Sequence, residues 1–154
     1  MKPRAAPLPL EDSLGFQIRD LNRAMQRALQ QLIQPGGVTL GAWYFLRVLW
    51  EEDSLTQREL ATRTGMQEPT AVIALRGMEQ AGWITRERST DDRRKVHIRL
   101  TESGRALRET MLPAPRAVIA QATAGMSAAE VDLLLRLLRQ ARANLAAADQ
   151  PSRR

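Results

Sequence analysis

The sequence predicts a mainly α-helical protein with one small β-hairpin, on three observations. Apolar residues recur at three- and four-residue steps through most of the chain, the period of a helix buried along one face. Two capping boxes, Thr56-Gln57-Arg58-Glu59 and Ser127-Ala128-Ala129-Glu130, mark helix starts, because a hydroxyl and a carboxylate three residues apart satisfy each other's backbone amides. Two short runs, 83–88 and 96–100, flank a polar turn and have the residue types of strands.

The elements follow in order. Pro3, Pro7 and Pro9 predict a flexible tail over 1–10. Leu14, Ile18, Leu21, Met25, Leu29, Leu32 and Ile33 predict an amphipathic helix over 13–34, ended by Pro35-Gly36-Gly37. Thr39 caps a second helix, to residue 50, that carries Leu40, Trp43, Leu46, Leu49 and Trp50. The Thr56 box opens a short helix to about residue 63, and Gly65 turns the chain. The next helix spans 67–80, tolerates Pro69 in its first turn and stops at Gly82. After the hairpin, Thr101 caps a long helical segment to residue 148. Pro113 and Pro115 predict a kink or break in it near Met111. Ala124-Gly125-Met126 closes its first part. The Ser127 box starts the last helix, with Val131, Leu134, Leu138, Ala141 and Leu145 on one stripe. A second flexible tail is expected over 149–154. The whole, 1–154, reads as one domain chain.

Composition narrows the chemistry. The chain of 154 residues has a net charge of +6 and no cysteine. The charge favours a polyanionic partner, although Lys2, Arg4, Arg153 and Arg154 contribute part of it from the tails. Without cysteine there is no disulfide, cysteine zinc site or thiol sensor. No apolar run suits a signal peptide or a membrane span, so a cytoplasmic location is expected. There is no glycine-rich phosphate loop, no paired carboxylates in a cleft-like context, and one histidine, His97, expected to be structural. An enzyme, a metal site and a cofactor are therefore not expected.

The stretch 54–100 is a helix-turn-helix with a basic hairpin, or wing, attached. In such motifs the second helix enters the DNA major groove and its N-terminal residues meet base edges. Gln67 can pair with adenine, Glu68 can accept from the cytosine amino group, and Thr70 stands beside them. Arg76 can reach guanine or phosphate. Val72 and Ile73 fall outward and suit thymine methyls; packing against the hairpin or the preceding helix explains them equally well. Arg93 and Arg94 tip the hairpin, where an arginine suits the negative potential of the narrow minor groove. Asp92 is a poor DNA ligand and better placed as a brace for the turn. Thr56, Arg86, Arg88 and Lys95 are expected near phosphates.

These residues resemble the MarR (multiple antibiotic resistance regulator) family of bacterial transcription factors. The resemblance rests on Leu60-Ala61, Pro69-Thr70, Met78 to Ile84, and a wing signature seen here as Asp92-Arg93-Arg94 and Leu100-Thr101. It implies a winged helix-turn-helix and a homodimer through the N- and C-terminal helices, 13–34 and 101–148. Arg94 would then be the minor-groove arginine and Asp92 its brace. Alanines at 71 and 74, where the family more often has larger residues, predict a second helix seated close to its support. The resemblance also implies a small-molecule effector, often an aromatic acid, for which Phe16, Arg19 and Trp43 are the candidate lining; Phe16 and Trp43 also read as ordinary core aromatics. The expected function is a dimeric, sequence-specific regulator of transcription, a repressor released by its effector, on a pseudo-palindromic double-stranded DNA site. The competing readings are a winged-helix module that binds protein and an architectural DNA binder of low specificity.

Overall fold

The computed structural model describes residues 9–89 and 95–148, and it divides the chain into two compact units, 1–118 and 119–154. The first unit holds α1 (Leu14–Ile33), α2 (Leu40–Glu51), β1 (Leu55–Thr56), α3 (Gln57–Thr64), α4 (Glu68–Gln80), β2 (Ile84–Arg88), β3 (Val96–Leu100) and α5 (Glu102–Met111). Helix α6 (Pro113–Ala122) runs across the boundary, and α7 (Ala128–Ala148) belongs to the second unit.

The local signals act where the sequence places them. Ser13 accepts from the Phe16 amide to start α1, and Thr39 from the Ala42 amide to start α2. Thr56 and Glu59 form the reciprocal box at α3, and Thr101 caps α5 through the Gly104 amide. Gly65 and Gly82 take left-handed φ values of 67° and 73°, which free the chain to leave α3 and α4. The helix after Thr101 breaks at Leu112, between α5 and α6, because Pro113 has no amide to donate.

The core lies wholly in the first unit. Phe45, Leu46 and Leu49 of α2 are buried with Ile33, Leu60, Leu75, Met78, Ile84 and Ile98, so α2 is the post on which the lobe is built. Helices α2 and α4 meet through small residues: a Cβ added at Gly41 would stand 3.2 Å from the Ala74 Cβ. The Trp50 indole donates to the Gly104 carbonyl at 2.9 Å and ties α2 to α5.

The hairpin belongs to a three-stranded antiparallel sheet ordered β1-β3-β2, a strand more than the sequence predicts. The two residues of β1 pair with β3, Leu55 opposite Ile98 and Thr56 opposite His97. Asp53 locks this junction. One carboxylate oxygen accepts from the Ser54 and Leu100 amides, at 2.8 and 2.9 Å, and the other from Arg105 at 2.9 Å. Ser54 is held at φ 65°, a conformation that costs a non-glycine residue about 1–3 kcal/mol and persists only where its surroundings enforce it. The Ser54 carbonyl accepts from His97 Nδ1 at 2.8 Å, so His97 is structural.

In the second unit, Ser127 and Glu130 form the predicted capping box of α7. No residue of α7 is buried, and Leu133, Leu135 and Leu137 are 42–57% exposed. In the first unit Leu14, Ile18, Leu21 and Leu32 of α1 are likewise exposed.

Candidate nucleic-acid interface

Helix α4 presents two different faces. Ala71, Leu75 and Met78 are fully buried toward α2 and the sheet. Gln67, Glu68, Thr70, Val72, Ile73 and Arg76 are exposed, Val72 at 38% and Ile73 at 74%. Packing against the hairpin or against α3 therefore does not account for Ile73. Gln67 is the N-cap but makes no side-chain capping bond, so its amide group is available to an outside partner. Glu68 sits in the first turn, where a carboxylate suits the positive end of the helix dipole.

The cations divide into paired and unpaired. Arg86 meets Glu79 at 3.1 Å, joining β2 to the end of α4, so it holds the wing to α4 as well as facing outward. Arg99 meets Glu87 at 3.1 Å and Arg63 meets Glu52 at 2.6 Å. That last bond holds the Glu52 carboxyl below its ordinary range and raises the Arg63 guanidinium. Arg58, Arg76, Arg88 and Lys95 are exposed and have no carboxylate partner among the described residues. Arg58 was not among the sequence candidates. It lines the groove between α3 and α4 with Thr62, Met66 and Gln67, and the buried Leu60-Ala61 pair on α3 would have pointed to its outward position.

Thr56, expected near phosphate, spends its hydroxyl on the capping box. Two backbone and side-chain bonds from Thr56 hold the Glu59 carboxyl below its ordinary range. Asp92, Arg93 and Arg94 lie outside the described residues. At the foot of the turn, the Ser89 amide donates to the Lys95 carbonyl at 2.9 Å and keeps β2 and β3 in register.

The predicted effector residues fall in different settings. The Arg19 guanidinium stands 5.6 Å from the centre of the Phe16 ring, on the outer side of α1. Trp43 is a core residue, 3% exposed, with Trp50 edge-on at 5.8 Å and Arg47 over its ring. An open cleft of about 520 Å³ beside α1 is lined by Arg23, Gln26, Arg27, Gln30, Gln31 and Leu40, and by none of the predicted three.

Residues 38–96, from before α2 to the first residue of β3, match the sequence model of the MarR family. An organic hydroperoxide resistance transcriptional regulator from Bacillus subtilis is 32% identical over 112 residues, spanning 73% of this chain and 76% of that protein. The chain belongs to the MarR family. A probable transcriptional regulator from Pseudomonas aeruginosa has a similar crystal structure, with TM-score 0.78 and 30% identity over 86% of this chain and 98% of that one. A further similar structure is that of reduced AbfR bound to DNA, with TM-score 0.71 and 25% identity over 89% of this chain and 94% of that one. The match to the family model takes in α3, α4 and β2, so every described candidate residue of the interface, from Thr56 to Lys95, lies within it.

Proposed function

We propose that this MarR-family chain is a homodimeric, sequence-specific DNA-binding regulator of transcription that acts in the cytoplasm as a repressor. The observation that carries this is the two-faced α4: a fully buried inner face, and an outer face of Gln67, Thr70, Val72, Ile73 and Arg76 bordered by cations with no carboxylate partner among the described residues. A major groove supplies what that face lacks, which is base-edge hydrogen bonds, methyl groups and phosphates. The lobe 54–100 carries the DNA contacts, and Arg94, braced by Asp92, is the minor-groove arginine. The exposed leucines of α1 and α7 support dimerisation through 13–34 and 101–148, since apolar helix faces of this extent are unstable in water. Two lobes in one dimer read a pseudo-palindrome with half-sites roughly 10 bp apart. A small anionic effector, an aromatic acid being the leading class, releases the DNA; the Arg19–Phe16 pair and the arginine-lined cleft beside α1 both suit a carboxylate.

The test is DNA affinity against salt, on a duplex selected from a random pool by the purified chain. If Arg58, Arg76, Arg88 and Lys95 each neutralise one phosphate, a dimer neutralises about eight, and log K falls against log salt with a slope of about −7. Arg94→Ala should weaken binding while leaving the dimer and its melting temperature intact. A flat salt response would refute DNA binding and favour a protein-binding module. Equal affinity for selected and scrambled duplexes would favour an architectural binder.

A further inference from the structure

Ile73 contributes nothing to the core of the lobe and stands out as the most exposed large apolar side chain among the described residues. With 3.6 residues per turn, Ala71, Leu75 and Met78 cluster on one side of α4 and Ile73 points from the other. It is 74% exposed, against 38% for Val72, which lies to the side. A β-branched residue is neither a strong helix former nor at ease in water, so a contact made outside the free protein gives its outward position a use.

Gly77 lies one turn later on the same outer face. A Cβ there would meet nothing within 4 Å, so no contact inside the protein requires a glycine. Glycine weakens a helix interior, and its usual justification there is the close approach of something else. The apolar tip of Ile73, the bare backbone at Gly77 and Arg76, which has no carboxylate partner among the described residues, thus share one face.

An apolar protein partner would fit Ile73 but not its cationic border. The major groove fits both: phosphate walls, and on its floor a thymine C5-methyl as the one apolar group that distinguishes a base. We propose that Ile73 reads a thymine methyl in each half-site, with Gly77 leaving the clearance for α4 to sit deep enough to reach it. This rests on the reading of α4 as the helix that enters DNA.

The test removes only the methyl. A site is selected from a random duplex pool by the full chain, and each thymine of the half-sites is then replaced in turn by uracil. Burying one methyl corresponds to about a four-fold change in affinity, or about fifteen-fold when both half-sites are altered. One thymine per half-site should show that loss. Ile73→Ala should weaken the thymine site by a similar factor and become indifferent to uracil at that position, without lowering the melting temperature because Ile73 is outside the core. Selected thymines that all tolerate uracil would overturn the assignment of Ile73 and leave the regulator reading standing. Uracil sensitivity that persists in Ile73→Ala would do the same. A pool that yields no enriched site would overturn both.

Discussion

Two glycine-to-alanine changes, chemically identical, should move stability in opposite directions. Gly104 lies in the first turn of α5, where an added Cβ would overlap the Trp83 carbonyl oxygen and stand 3.0 Å from the carbonyl carbon behind it. Leu100 Cδ2 closes the other side at 3.1 Å. The backbone of residue 83 leads directly into β2, so the wing's root and α5 must separate to admit the methyl. That movement strains two bonds: the Thr101 amide to the Trp83 carbonyl, at 2.9 Å, and the Trp50 indole to the Gly104 carbonyl, at 2.9 Å. Overpacking costs about 1–3 kcal/mol and each weakened hydrogen bond about 1 kcal/mol. The better helix propensity of alanine returns about 1 kcal/mol. The net loss for Gly104→Ala is about 3 kcal/mol. With a urea m-value of about 2 kcal/mol per molar, the unfolding midpoint falls by about 1.5 M. Gly77→Ala, with open space around the new methyl, should instead gain about 1 kcal/mol from propensity alone. Urea titration followed by tryptophan fluorescence, at one fixed protein concentration, reads both. A Gly104→Ala loss smaller than about 1 kcal/mol would refute the close approach of α5 to residue 83. Destabilisation by Gly77→Ala would refute the account of its open surroundings.

Two further outcomes follow from the junctions. Glu59 and Glu130 both have carboxyls held below the ordinary range, chiefly by the backbone amides of Thr56 and Ser127. A depressed folded value means that their stabilisation is complete above the unfolded carboxylate range and disappears as pH falls through the folded value. Stability should therefore be insensitive to these groups from neutral pH down to about 5 and decline below about 4.3, and urea unfolding of Glu59→Gln across this range should show a shallower acid decline than the parent. Asp53→Ala leaves the Leu100 and Ser54 amides without their acceptor, at a cost of about 1–3 kcal/mol; amide hydrogen exchange at Leu100 should accelerate, and an unchanged rate would remove Asp53 from the junction.

The helices were legible in the sequence because their signals are local. Thr56 and Glu59, or Ser127 and Glu130, are three residues apart, and a capping box requires nothing beyond that spacing. The break before Pro113 was legible for the same reason. Strand β1 was not: two residues have no periodicity, and their partners lie more than forty positions away at Ile98 and His97. The Asp53 clamp on Leu100 and the contact of Gly104 with residue 83 are also pairings between residues far apart in the chain, 47 and 21 positions. At the interface, the outward set on α4 followed from helical period alone. The pairing of Arg86 with Glu79 did not, since it depends on how β2 folds back over the end of α4. Trp43 shows the limit of composition: an aromatic beside a predicted pocket and an aromatic in a core look alike until its neighbours are known.

The central place of β3 has a consequence for self-association. A hairpin that projects to reach a groove is also an open sheet edge, a template on which another chain can pair. Here one edge strand, β1, is two residues long, too short to nucleate pairing, and its residues continue directly into α3. The other, β2, carries Arg86, Glu87 and Arg88 in succession, with Arg99 across from it on β3. Two such edges meeting with Glu87 opposite Glu87 would set Arg86 against Arg88 and like charge against like. A charged run of this kind on an edge strand disfavours pairing of that edge with another chain.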